Sequence, residues 1–182
     1  GGLFRLRTKD RSFEARLAVG SFGKRSNLGK PAHPTSRNYV GVKHHIRYPW
    51  PDDLIGLHNF PGGYCGISRI EENRCCLCYL VDARMLRQSG NTSALEQEIL
   101  CKNPHLNEIF TRGEFLWEKP LTISNVQFRP GLASSEGQAR LGDAAGQIAP
   151  LTGNGMSLAL RSARLLAQAV GQEGLAQPDR VL

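Results

Sequence analysis

The chain has 182 residues, a net charge of +7, 40% hydrophobic residues, 20 glycines and 10 prolines. That length fits one domain or a substantial piece of a larger protein with room for a core. No run of about 18 apolar residues is present to span a membrane, and signal-peptide grammar is missing. The positive charge suits anionic ligands or acidic partners, but basic residues are scattered from Arg5 to Arg164 with no block that would make a nucleic-acid arm.

Five cysteines, at 65, 75, 76, 78 and 101, are an odd number without a secretory signal, which predicts reduced thiols in a cytoplasmic protein. Cys75, Cys76 and Cys78 fall in the run RCCLCYLV. On a strand Cys76 and Cys78 share one face and Cys75 takes the other, so small core residues are expected rather than a metal site.

In chain order, residues 3 to 19 predict two strands about a turn near Lys9-Asp10. Phe4 and Leu6 alternate before the turn, and Phe13, Ala15, Leu17 and Val19 share a parity after it. VGSFGKRS then reads as a strand end and a glycine-containing turn, with Ser26 or Asn27 able to bond locally. Residues 28 to 38 are a Pro-, Gly- and Ser-containing loop. Tyr39 to Tyr48, Leu54 to Phe60 and Cys75 to Val81 are strands of an antiparallel meander, separated by Pro49 to Asp53, by Pro61-Gly62-Gly63 and by Glu71-Glu72-Asn73. One face of such a sheet must be covered.

His44 and His45 adjoin on the first of these strands and point to opposite faces. In FPGGYCGISR the glycines permit a sharp turn that displays Tyr64, whose ring suits an apolar contact and whose hydroxyl suits a polar one. Residues 83 to 111 are helical with breaks at Gly90 and at Asn103-Pro104. Ser93 is the expected cap of the helix carrying Leu95, and Leu106, Ile109 and Phe110 the buried side of the next. Leu116, Trp117 and Leu121 to Phe128 form a further strand region, Arg129-Pro130-Gly131 a turn, and Gly137 to Leu141 a last approach strand.

The rest of the chain is organised around LGDAAGQIAPLTGNGMSLALRSARLLAQAV, Leu141 to Val170. An apolar approach ends in Gly142-Asp143, a small-residue turn runs to Pro150, and Thr152-Gly153-Asn154-Gly155 opens a helix whose apolar side chains include Met156, Leu160, Ala163, Ala167 and Val170. Glycines let backbone approach a flat partner, and the first helical turn leaves N–H groups free to face an anion.

This stretch resembles the second flavin-binding motif of the FAD-dependent oxidoreductases that include aromatic hydroxylases, geranylgeranyl reductases and flavin-dependent halogenases. The resemblance implies that Asp143 meets the ribityl chain of FAD, and that Gly142, Pro150 and the backbone of Gly153, Asn154, Gly155 and Met156 border the flavin ring. VGSFGKRS resembles the G-A-D-G-x-x-S motif of the same family through Gly20, Gly23 and Ser26, with Phe22 where the family has Asp; Arg25 is a candidate phosphate neighbour. Pro61 and Tyr64 resemble part of the P-x-x-Y-x-W signature of geranylgeranyl reductases, with Gly66 where that signature has Trp.

The implied fold class is α/β, an α+β substrate sheet inserted in an FAD-binding Rossmann-like fold. Residues 1–30 and 131–182 are assigned to the FAD-binding domain and 31–130 to the substrate domain. No G-x-G-x-x-G opens a helix, so the chain is read as a fragment lacking the N-terminal dinucleotide motif. Substrate-cavity candidates are Tyr64, Pro61, His45 and His58, with His44 on the same strands; no metal is expected. The function implied is reduction of carbon–carbon double bonds in an apolar, isoprenoid-like substrate, with NAD(P)H as a candidate donor. The alternatives are a monooxygenase of hydroxylase or halogenase type acting on an apolar or aromatic substrate, and a non-catalytic flavin- or ligand-binding module. Neither nucleic acid nor a transmembrane span enters this reading, and peripheral membrane contact stays open.

Overall fold

The computed structural model describes residues 3–23, 37–128, 134, 135 and 137–173. Ser26, Arg25, Asn27, the loop at 28 to 36 and the turn at Arg129-Pro130-Gly131 lie outside them. The chain forms two compact units, Gly1–Ser36 with Phe128–Leu182, and Arg37–Gln127. The class is mixed α/β, an antiparallel sheet with helices inserted between two segments of a Rossmann-like unit that keeps a parallel strand pair.

The chain begins with the expected hairpin. Strands β1 (Phe4–Arg7) and β2 (Ser12–Ala15) pair antiparallel, closed by Thr8 and Arg11, and Arg5 bonds Glu14 across them at 2.6 Å. The second strand does not run on through Leu17 as its parity predicted. It stops at Ala15, and Val19–Gly20 (β3) joins a different sheet.

The inserted unit runs β4 (Tyr39–Arg47), β5 (Ile55–Phe60), β6 (Gly63–Ile70), β7 (Arg74–Asp82), then helices α1 (Ala83–Ser89), α2 (Thr92–Glu98) and α3 (Pro104–Arg112), and strands β8 (Glu114–Phe115) and β9 (Leu121–Val126). The sheet order is β5-β6-β7-β4-β8, with β9 also on β4, all antiparallel. Strand β6 was not expected. Its sequence, GYCGISRI, carries two glycines that mask the alternation, yet Cys65 and Ile67 are fully buried between neighbouring strands.

The glycines of its entry turn are demanded by the fold. Gly62 has φ +79° with Met85 of α1 where a Cβ would stand, and a Cβ on Gly63 would overlap the Leu80 carbonyl. Glu72 and Asn73, with φ 59° and 54°, make the tight β6–β7 turn.

Alternation along β4 and β7 sends Val40, Val42, Ile46, Cys75, Leu77, Tyr79 and Val81 to one face, where Leu95, Leu100, Leu106 and Ile109 of the helical segment close the core. Each such side chain contributes about 1.5–3 kcal/mol by leaving water. The helical breaks fall where the sequence puts them. Gly90, at φ 83°, ends α1, and Asn103 caps α3 ahead of Pro104. The cap of α2, however, is Asn91, which accepts from the Ala94 amide at 2.8 Å; Ser93 lies within the first turn.

The flanking unit resumes with β10 (Ser134–Ser135) and β11 (Gln138–Arg140). Strand β11 lies between β10 and β3 and is parallel to β3, placing Ala139 opposite Val19 and Arg140 opposite Gly20. Short 3₁₀ turns at Gly142–Ala144 and Pro150–Thr152 then lead to α4 (Gly155–Glu173).

Helix α4 exposes most of the apolar side chains singled out in the sequence, and three of them, Met156, Leu160 and Ala163, line a groove. Met156 and Leu160 are 81% and 73% exposed, and Ala163 and Ala167 are exposed. The less exposed positions are Gly155, Ala159, Ser162, Leu166, Ala169 and Val170, at i, i+4, i+7, i+11, i+14 and i+15.

Candidate functional site

The Gly-Asp turn is clamped to α4 by the smallest side chains available. Gly142 has φ +56°, and a Cβ there would sit 3.1 Å from that of Ala159. Its N–H donates to Ser162 Oγ at 3.3 Å, and Ser162 in turn donates to the Ala159 carbonyl at 2.8 Å. A larger residue at 142 would meet both the backbone conformation and the helix, so Asp143 is presented at one end of α4. Asp143 is exposed, with one oxygen accepting from Gln147 Nε2 at 3.4 Å. A carboxylate retains capacity for several further donors.

The approach to α4 uses Gly153 in the left-handed region, φ 66°. Leu158 N–H closes the first turn onto the Asn154 carbonyl at 2.9 Å. The amides of Gly155, Met156 and Ser157 therefore precede the first intrahelical bond, and the positive end of the helix dipole lies with them.

Ser21, Gly23, Leu141, Gly142, Asp143, Gly155, Met156, Ala159, Leu160 and Ala163 together line a groove of about 510 Å³. Of the residues the sequence selected, Gly142, Asp143, Gly155 and Met156 meet in it, with Gly23. Pro150, Gly153 and Asn154 shape the turn but do not line the groove, and Pro150 and Asn154 are exposed. Ala159 and Ser162 escaped the sequence reading. Their signal was the spacing 155, 159, 162, which marks the face of α4 turned to the Gly-Asp turn. Phe22 lies with its ring against Gly20, and the Arg140 guanidinium is 6.0 Å from the ring centroid. The position thus packs a ring where a carboxylate would have accepted hydrogen bonds.

In the inserted unit the face of the sheet opposite the helices mixes polar side chains with exposed apolar ones, Ile55 and Leu57 of β5 and Leu121 and Ile123 of β9. Tyr64, Gly66 and Ser68 of β6, Cys76 and Cys78 of β7, and Lys43 and His45 of β4 share it by register. His45 stacks on Trp117, ring centroids 4.2 Å apart, and its buried Nε2 has no hydrogen-bond partner. Desolvation, helped by the Lys43 and Arg74 charges, pushes the His45 pKa down. Desolvation, then Cys78, raises that of Tyr64.

Tyr64 and His45 are therefore on one face. His58 is not: it pairs with Cys65 across β5 and β6 and so points to the helix-covered side, beside Trp50 at 6.3 Å and His105 at 5.6 Å. Desolvation and then His105 lower its pKa. Pro61 is exposed in the β5–β6 turn.

His44, across the sheet from His45, joins a network the sequence did not reveal. His44 Nε2 is 2.9 Å from Glu96 Oε1, which also accepts from the Tyr79 hydroxyl at 2.8 Å, and all three residues are buried. These residues come from β4, α2 and β7, so only the folded chain brings them together.

Neither a protein-family model nor a curated protein sequence matches the chain. Solved structures do. CmlS, a flavin-dependent halogenase, is 18% identical with a TM-score of 0.72, over 98% of this chain and 35% of that one. The myxobacterial chondrochloren halogenase CndH is 19% identical with a TM-score of 0.72, over 98% of this chain and 45% of that one. PqsL of P. aeruginosa, solved in complex with 2-aminobenzoylacetate, is 19% identical with a TM-score of 0.64, over 97% of this chain and 52% of that one. The chain thus spans about half or less of the structures it matches, and its fold is that of the flavin-dependent halogenase and monooxygenase type.

Proposed function

We propose that the chain is the ribityl-binding and substrate-facing part of an FAD-dependent oxidoreductase of the oxygen-using branch, a monooxygenase of hydroxylase or halogenase type. The observation that carries the reading is the groove at the start of α4, where an exposed carboxylate, an open glycine and free helical amides converge in a fold shared with flavin-dependent halogenases.

The residues present fit the cofactor. Gly155 has no positive φ, and a Cβ built on it meets no atom within 4 Å, so nothing in the described chain requires a glycine there. Close approach of a flat ligand does require it. Asp143 would accept hydrogen bonds from ribityl hydroxyls. The amides of Gly155 and Met156, with the helix dipole behind them, would donate to the pyrimidine edge of the ring and favour negative charge there. FAD, when bound, supplies two-electron transfer and reaction with dioxygen.

Tyr64 and His45 share one face of the inserted sheet, the face we assign to substrate. On this reading Tyr64 lays its ring along an apolar or aromatic substrate, and His45, stacked on Trp117 with its Nε2 buried, forms part of the wall beside it. Reduction of an isoprenoid double bond is the weaker reading. It rests on Pro61 and Tyr64 alone, with Gly66 where that signature has Trp, and the similar structures favour the oxygen-using branch.

The test is titration of FAD into the protein expressed from its complete reading frame, followed by substrate-dependent oxygen uptake. Bound flavin with an oxygenated or halogenated aromatic product supports the reading. Bound flavin with a saturated product would transfer it to the reductases, and a protein that takes up no flavin would end it.

A further inference from the structure

We propose that Cys76 and Cys78 form a dithiol site that a hydroperoxide oxidises reversibly to a disulfide, with Cys76 attacking and Cys78 resolving. The two residues alternate on β7, the strand flanked by β6 and β4, so both side chains emerge on the half-exposed face, and their sulfurs are 3.2 Å apart. Cross-strand neighbours leave the pair approachable. Gly66, opposite Cys78, contributes no side chain, although Leu57 of β5 reaches over it, and Ser68, opposite Cys76, contributes a small one. On the other flank Lys43 stands opposite Cys78 and His45 opposite Cys76.

The remaining thiols are differently placed. Cys65 and Cys75 are buried on the core face, where desolvation raises their pKa values, and Cys101 lies in a 3₁₀ turn with its pKa also raised by burial. In the pair, the hydrogen bond between the two sulfurs holds Cys76 well below the ordinary thiol range, to about 6, against desolvation and with help from Lys43; Cys78 is pushed up in return.

The chemistry balances. The Cys76 thiolate attacks hydrogen peroxide, an S–O bond forms, the O–O bond breaks and hydroxide leaves to be protonated to water. Cys78 sulfur then attacks the sulfenic acid, an S–S bond forms, the S–O bond breaks and a second water departs. Two thiols lose two electrons in all and the peroxide is reduced to two waters. Two residues along a strand lie about 6.4–6.8 Å apart at Cα, the upper end of disulfide geometry, which favours a bond that a small thiol reopens.

At neutral pH Cys76 is mostly thiolate, whereas burial keeps the Cys101 thiol protonated, and the lower intrinsic nucleophilicity of the more acidic thiol offsets only part of that difference. Cys76 should therefore react faster than Cys101.

The experiment treats the reduced full-length protein with one equivalent of hydrogen peroxide, alkylates the remaining thiols and sequences the tryptic peptide from Cys75 to Arg84 by mass spectrometry. The expected peptide lacks two hydrogens, carries its alkyl group on Cys75, and recovers all three thiols after treatment with dithiothreitol. In Cys78→Ser, whose hydroxyl can still donate to the Cys76 sulfur, a dimedone probe added with the peroxide should label Cys76 faster than Cys101. Three alkylated cysteines in the oxidised wild-type peptide, a disulfide involving Cys75 or Cys101, or equal labelling of Cys76 and Cys101 would each overturn the proposal.

Discussion

Gly155→Ala separates a glycine the fold needs from a glycine a ligand needs. The residue opens α4 with a backbone outside the left-handed region, and its added Cβ meets nothing within 4 Å. Alanine should therefore stabilise the apoprotein by about 0.4–1 kcal/mol through the unfolded chain, raising the melting temperature by roughly 1–4 °C. The same methyl projects from the backbone that is proposed to lie against a flavin ring. Crowding such a contact costs about 1–3 kcal/mol, which corresponds to a loss in FAD affinity of at least about fivefold and up to about 150-fold. Differential scanning calorimetry without FAD, and titration by quenching of flavin fluorescence, read the two effects separately. Unchanged FAD affinity would refute the ligand role of Gly155, and a lowered melting temperature would show that the fold demands the glycine after all.

Other perturbations follow from the same geometry. Asp143→Ala should weaken FAD binding by about 1–3 kcal/mol while leaving the melting temperature in place, since the exposed carboxylate makes only a 3.4 Å contact with Gln147. Parallel titrations and melts check it. Tyr79→Phe removes a 2.8 Å donor from the buried Glu96 carboxylate and should cost about 1.5–3 kcal/mol in urea denaturation; a change under about 0.5 kcal/mol would mean that the hydroxyl is not spent on that bond.

His45 and His58 both have pKa values below the usual 6.5 in the folded chain. The unfolded chain thus binds protons first, and stability should fall as pH drops below about 6.5 and level off beneath the folded values. Urea midpoints across that range test the sign, and His45→Gln with His58→Gln should flatten the slope. Tyr64→Phe should leave flavin binding intact and change kcat; identical kinetics would reduce Tyr64 to packing.

Local chemistry made much of this legible in the sequence. Parity placed β4 and β7, Gly90 and Asn103-Pro104 broke the helical segment where they do in the fold, and the Gly-Asp turn ahead of a long helix was apparent from residue order. These signals act over a few residues, where backbone propensity and capping decide. What required the folded chain was decided by partners distant in sequence. Strand β6 was concealed because Gly63 and Gly66 interrupt its pattern, and only pairing with β5 and β7 makes it a strand. His58 and Tyr64 could not be assigned to opposite faces until that register was known. The His44–Glu96–Tyr79 network joins residues up to 52 positions apart. The orientation of α4 followed from Gly142 needing to touch Ala159, because an apolar helix with more than one candidate face turns toward whichever neighbour can approach most closely.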